Sequence, residues 1–191
     1  YSYTEVVRYG VSQGGLWGSS GGVLYLYDGG SMAASTITGL SGFSGSSNRT
    51  IVGSDTTGAY LGSKIDSIGF EIDRSSTFTG NLTMNLGAGD DHVSGYFKNT
   101  DSIDLGAGDD YISIQASGSY GTATIAGLNF TKLNGGAGYD TLSFHQAPAN
   151  TTTLTLTTGG ATNFENLIGT SGGETLTGDG NANVLMGGRG A

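Results

Sequence analysis

Apolar and polar residues alternate along this chain in short runs, and no window sustains a 3.6-residue period. The pattern predicts strands rather than helices. Residues 22–27, Gly-Val-Leu-Tyr-Leu-Tyr, read as a strand that ends in the turn Asp28-Gly29-Gly30. Residues 81–86 put Leu82, Met84 and Leu86 on one face. Ile103 and Leu105, then Ile112 and Ile114, repeat that alternation, and Leu154 and Leu156 do so within a Thr-rich run. Gly, Ser and Thr interrupt every stretch that could propagate a helix. The fold class expected is all-β.

The first 78 residues carry no detectable repeat; from residue 79 the text changes. Leu86-Gly87-Ala88-Gly89-Asp90-Asp91 is followed by Leu105-Gly106-Ala107-Gly108-Asp109-Asp110, and then by Gly135-Gly136-Ala137-Gly138-Tyr139-Asp140. From residue 166 a tighter repeat begins. Leu167, Leu176 and Leu185 are nine apart, as are Gly169, Gly178 and Gly187, and Glu174 and Asn183. A nine-residue period predicts a solenoid of short strands and turns.

Composition narrows what such turns can do. The chain has 191 residues, with 37 Gly, 1 Pro and no Cys. Gly is far above its usual ~7%, and each one loses extra backbone entropy on folding, so the glycines must occupy turns that something else compensates. Sixteen acids against 7 bases leave a net charge of −9. That disfavours nucleic acid and anionic membranes as partners and favours cations. Without Cys there is no disulfide framework and no thiolate zinc site. No apolar run approaches ~18 residues and no stretch resembles a signal peptide. The pattern is under way at Tyr1 and still running at Ala191, which reads as a piece of a longer protein.

The turn pattern is Gly-Gly-x-Gly-x-Asp followed by a short strand. Glycine lets the chain pass through positive φ and bend tightly. Such a turn points carbonyls inward, and the Asp carboxylate completes a set of oxygens. Calcium takes 6–8 oxygen ligands at about 2.3–2.6 Å. One copy would be an ordinary acidic hairpin turn; three copies beside a nonapeptide array favour several calcium ions. The candidate metal residues are Gly87, Gly89, Asp90, Asp91, Asp104, Gly106, Gly108, Asp109, Asp110, Gly136, Gly138 and Asp140. Val93, Ile112, Leu142, Leu176 and Leu185 follow the turns as core positions. Residues 171–191 could instead form only a cap.

Enzyme signatures are weak, and a non-catalytic role is expected. There is no His-Glu-x-x-His, and the histidines are His92 and His145, both expected at the surface. Gly-x-Ser-x-Gly occurs at Gly18–Gly22 and Gly169–Gly173, which a chain this rich in Gly and Ser produces by chance, and no helix follows either copy to make a nucleophile elbow. The Asp pairs fit calcium better than proton transfer, because a bound cation makes them poor proton shuttles.

The turns resemble the nonapeptide repeat of RTX (repeats-in-toxin) proteins, whose arrays form a calcium-binding parallel β-roll. Asn134-Gly135-Gly136-Ala137-Gly138-Tyr139-Asp140-Thr141-Leu142 is the cleanest copy. Asn163-Phe164-Glu165-Asn166-Leu167-Ile168-Gly169, with Thr175-Leu176-Thr177-Gly178, is similar to a common lead-in to such arrays. The resemblance covers residues 86–191. It departs where Leu86 and Leu105 replace the first Gly, where Glu174 and Asn183 replace the Asp, and where offsets of 19 and 30 residues imply uneven coils and an insertion. The expected organisation is a β-rich calcium-dependent module over 1–165, non-repetitive in 1–78 and carrying calcium loops in 79–165, with the nonapeptide β-roll starting at 166–191.

A β-rich module before such an array is similar to the calcium-dependent peptide-binding domains of large RTX adhesins. The resemblance implies a monomeric module of an extracellular or bacterial cell-surface protein, without membrane insertion. Its partner would be a peptide or protein C-terminus whose carboxylate sits on calcium. Asp90 and Asp109 fall at a position the turn leaves variable, where they could hold a more exposed ion, with Tyr111 and Tyr139 as apolar contacts. The alternatives are a lectin-like module whose calcium chelates a glycan, a structural extender or cap of a type I secreted protein, and the C-terminal part of a secreted lyase or epimerase.

Overall fold

The computed structural model describes residues 81–115, 125–148 and 153–188 in full. Before them it describes the backbone of five strands: β1 (Tyr3–Arg8), β2 (Gly22–Tyr27), β3 (Thr36–Leu40), β4 (Arg49–Val52) and β5 (Ser67–Ile72). Ser20 and the Gly18–Gly22 motif around it lie largely outside these residues. The later strands are β6 (Leu82–Asn85), β7 (His92–Tyr96), β8 (Ser102–Ala107), β9 (Tyr111–Gln115), β10 (Lys132–Ala137) and β11 (Thr141–Ser143). They continue with β12 (Thr153–Thr155), β13 (Ala161–Thr162), β14 (Asn166–Ile168), β15 (Thr175–Thr177) and β16 (Val184–Met186). The fold is all-β and its sheets are parallel.

One seven-stranded sheet runs β1-β2-β4-β6-β8-β10-β13, and the other runs β16-β14-β11-β9-β7-β5-β3. From β2 to β11 the chain visits the two sheets alternately, so each pair of strands is one coil of a solenoid. Parallel pairing follows, because every coil brings the chain back to the same end before it pairs again. The pairing is not confined to the nonapeptide array: β1 to β5, in the half without a sequence repeat, join the same two sheets. Residues β12 and β15 form a separate two-stranded sheet.

The inward positions of both sheets meet in one core. Met84, Ile103, Leu133 and Ala161 stand in register on the first sheet. Val93, Ile112, Leu142 and Leu167 do so on the second. All eight are buried. Each large one contributes on the order of 1.5–3 kcal/mol by leaving water. Phe97 and Phe144 are fully buried beside these rows. The insertion between β9 and β10 also feeds the core: a 3-10 turn at Ile125–Gly127 leads into Leu128 and Phe130, which pack into the same cluster. Phe130 N–H donates to the Gly159 carbonyl at 2.8 Å and Thr131 N–H to the Asn99 carbonyl at 2.7 Å, tying the insertion down. Among the expected core residues, Val93, Ile112 and Leu142 are fully buried and Leu176 partly so, whereas Leu185 is 41% exposed on β16.

The turn at the other end of the coil is held by Asp101. Its Oδ1 accepts Leu82 N–H and its Oδ2 accepts Lys98 N–H, both at 2.8 Å, and the side chain is fully buried. This anchors the start of β6 to the turn before β8.

Candidate functional site

The acidic turns lie where the chain passes from the first sheet to the second, between β6 and β7, β8 and β9, and β10 and β11. Successive coils stack them in columns. Ala107 N–H donates to Gly87 O at 2.8 Å, Gly89 N–H to Ala107 O at 2.8 Å, and Gly108 N–H to Ala137 O at 2.9 Å. Gly87, Gly106 and Gly136 form one glycine column; Gly89, Gly108 and Gly138 form the other. All six have positive φ. Gly136 shows why no other residue serves: at φ +124° an added Cβ would overlap the Gly106 carbonyl.

Two carboxylate ladders run along the turns and lean in opposite directions. In the inner ladder, each acid caps the coil before it. Asp110 Oδ1 accepts Asp91 N–H at 2.8 Å, Asp140 Oδ1 accepts Asp110 N–H at 2.9 Å, and Glu165 Oε2 accepts Asp140 N–H at 2.8 Å. The offsets between the first three rungs are 19 and 30 residues, as the motif spacing predicts. In the outer ladder, each acid caps the coil after it: Asp90 Oδ1 accepts Asp109 N–H and Asp109 Oδ1 accepts Tyr139 N–H, both at 2.9 Å.

The inner ladder is buried. Asp91, Asp110 and Asp140 are at most 1% exposed. Oδ2 of Asp110 and Oδ2 of Asp140 are buried with no hydrogen-bond partner. A buried carboxylate oxygen left unpaired is costly. Burial pushes the Asp110 carboxyl up to about 7 against the pull of Asp91 N–H, and the carboxylates of Asp140, Asp90 and Asp109 add to the rise. Burial likewise lifts Asp140 to about 6 against the Asp110 N–H, with Glu165 and Asp109 adding. The column therefore calls for positive charge, as a proton or as a cation. Among the described residues no three His, Cys, Asp or Glu side chains converge on one point able to hold a metal ion. The acids are spaced one per coil, so an ion here would take one or two carboxylates and fill its shell with backbone carbonyls and water.

The other predicted site residues fall in different places. Asp104 stands on the outer face of β8, paired with Lys132 Nζ and Asn134 Nδ2; it belongs to neither ladder. Asp90, Asp109 and Tyr139 line the exposed outer column, with Tyr139 at 66% exposure. Tyr111 opens β9, and its hydroxyl lies 3.1 Å from His145 Nδ1. Ser171 of the second Gly-x-Ser-x-Gly motif sits in the exposed turn between β14 and β15, a strand-to-strand connection rather than a nucleophile elbow.

Glu165 was not among the predicted ligands, although it is the rung after Asp140. It precedes Asn166-Leu167-Ile168 as Asp140 precedes Thr141-Leu142-Ser143, and those two strands pair in that register. Aligning by strands rather than by glycines finds it. Glu174 instead caps its own turn, accepting from Thr170 N–H and Thr170 Oγ1. Asn183 Oδ1 accepts Asp179 N–H at 2.9 Å.

Comparison with known protein families, with curated proteins and with solved structures returns no match. What the site can do follows from its own residues. The decisive one is the unpaired Oδ2 of Asp110, in a column of acids with no base among them.

Proposed function

We propose that this chain is a calcium-dependent β-roll segment of a large secreted RTX-type adhesin, folded outside the cell by cations that occupy the inner turns. The observation that carries the reading is the pair of buried, unpartnered oxygens, Oδ2 of Asp110 and Oδ2 of Asp140. The residues that would hold the ions are Asp91, Asp110, Asp140 and Glu165, with carbonyls of the glycine columns. Calcium would supply the positive charge that the column lacks and so remove the repulsion between its carboxylates. The chain's own residues hold the acids in place: the glycines let adjacent turns approach, and the carboxylates of Asp110, Asp140 and Glu165 are each oriented by an N–H of the preceding coil.

An extracellular setting supports this energetically. Sites of extracellular modules have Kd values of ~10⁻⁴–10⁻³ M, and each adds about 1.4 kcal/mol of stability at roughly tenfold excess of ion. Several sites acting together decide whether the chain folds. The test is calorimetric melting of the protein in millimolar calcium and in excess EGTA, with direct counting of bound ions. A melting curve unchanged by the chelator overturns the reading.

A second role, ligand binding, is favoured by the outer column. Asp90 and Asp109 each commit one oxygen to the next coil while staying exposed, and Tyr139 extends the same row. A more exposed ion there would keep waters that a peptide C-terminal carboxylate displaces, with a glycan diol as the alternative ligand. Titrating peptides with free and amidated C-termini, with and without calcium, tests it. Equal binding of the two peptides, or binding that survives EGTA, excludes the carboxylate-on-calcium mode.

A further inference from the structure

Only one Asn in the chain is followed by Gly: Asn134-Gly135, on β10 beside the inner ladder. The fold requires glycine at 135. An added Cβ there would lie 2.0 Å from the Asn163 carbonyl oxygen and 2.7 Å from both Cβ and Oδ2 of Asp140. Asn134 itself is held from several sides. It pairs with Asp104 on β8 and with Thr162 on β13. Its Nδ2 donates to Asp104 Oδ1 at 2.6 Å, and its Oδ1 accepts from Asn163 Nδ2 at 2.8 Å and from Thr162 Oγ1 at 3.3 Å.

An Asn-Gly pair is open to self-reaction, because glycine has no side chain to shield its amide nitrogen or restrict its backbone. In an open chain the Gly135 nitrogen attacks Asn134 Cγ. A C–N bond forms, the side-chain nitrogen leaves as ammonia with the Gly135 amide proton, and a cyclic imide remains. Water then opens the ring at one of its two carbonyls. One opening gives aspartate; the other gives isoaspartate, in which the main chain runs through the former side chain. Water is the sole co-reactant, and nothing is oxidised or reduced. The folded coil blocks the first step. Ring closure needs Asn134 to rotate out of the extended conformation of a parallel strand, which breaks its pairing to β8 and β13 together, and the leaving amide is bonded to Asp104.

We propose that Asn134-Gly135 is a modification site that the folded coil keeps closed, and that isoaspartate formed there in the opened chain is a one-way lock against refolding. Isoaspartate lengthens the main chain by a methylene between Asn134 and Gly135, where Asp140 and Asn163 leave no room for another carbon on Gly135. It puts a second carboxylate where Asn134 Nδ2 now donates to Asp104. It also moves Gly136 and Gly138 off the columns in which they stack on Gly106 and Gly108. Core strands open with nearly the full unfolding free energy, so a reaction confined to the opened state is strongly suppressed in the native one. The inference holds whatever keeps the coil closed and does not rest on the calcium reading.

The test is ageing of the full chain at mildly alkaline pH in millimolar calcium, with and without denaturing guanidinium chloride, the folded state being verified by circular dichroism. Peptide mapping by mass spectrometry and enzymatic labelling of isoaspartate follow the conversion. Conversion at Asn134 should be at least about tenfold faster in the denatured chain, and there it should lead conversion at Asn99 and Asn166, which precede Thr and Leu. After the denaturant is diluted away, chains with isoaspartate at 134 should be missing from the refolded fraction separated by size exclusion. Asn134→Gln should keep its refolding yield after the same ageing. Should that variant fail to fold before ageing, the isoaspartate content of refolded and unfolded wild-type fractions decides. The proposal is overturned by equal conversion in the folded and denatured chain, by another Asn converting first, or by isoaspartate at 134 equally abundant in the refolded fraction.

Discussion

Asp110→Asn separates a ladder held by calcium from one held by protons. Asparagine has nearly the same shape and keeps Oδ1, so the 2.8 Å bond from Asp91 N–H survives. What changes is the charge on the buried Oδ2. A carboxyl raised from 3.8 to about 7 binds its proton more tightly folded than unfolded. Folding stability then falls as pH rises from about 4 to about 7, and the whole penalty is present above that window. The shift corresponds to about 4 kcal/mol at most, and relaxation with water entry brings a working figure of about 2 kcal/mol. In EGTA at pH 8 the variant should therefore be more stable than wild type by about 2 kcal/mol, or roughly 4–8 °C in melting temperature. In millimolar calcium the variant lacks one ligand, and its stability should drop below wild type. The sign of the effect reverses with the ion. The assay is differential scanning calorimetry in both buffers, with far-UV circular dichroism as the readout where the cation-free chain is unfolded. Stabilisation by equal amounts in both buffers would show that a proton satisfies Oδ2 and would refute the calcium reading. Destabilisation in both would show that Oδ2 has another protein partner.

The same physics sets the pH response of the whole ladder: in EGTA the melting temperature should rise as pH falls from 8 to 5, because Asp110 near 7 and Asp140 near 6 take up protons. Thermal scans in saturating calcium should lose that rise, since protons then compete with the ion. Gly136→Ala should destabilise by at least about 3 kcal/mol, because its φ of +124° is closed to a side chain and the Gly106 carbonyl fills the space; urea titration in calcium measures it, and a cost below about 1 kcal/mol would contradict the stacked-turn geometry. Asp101→Ala should cost about 2–4 kcal/mol in the same assay, with any calcium affinity retained, since it strands the N–H groups of Leu82 and Lys98 at the end of the coil away from the acidic turns.

Much of this architecture is legible residue by residue. Leu82, Met84 and Leu86, and then Ile103 and Leu105, alternate with polar neighbours, and a period of two places them on one face wherever the strand is put. The glycines and acids of the three turns announce themselves because positive φ and close backbone approach are demands that few residue types meet. Those are local properties, and the sequence alone determined them. Pairing is not local. The coils between rungs run 19, 30 and 25 residues, so insertions hide the period that the register keeps. Only the tertiary structure could bring β1 to β5 into the same sheets, carry the inner ladder on to Glu165, bury Asp101 and turn Asp104 outward to Lys132. The same holds for His145, which lies 34 residues from Tyr111 in the chain and 3.1 Å from its hydroxyl in space. A side chain's chemistry is written at its own position, but its partner is chosen by which coil stacks on which, and that is decided by burying one continuous core.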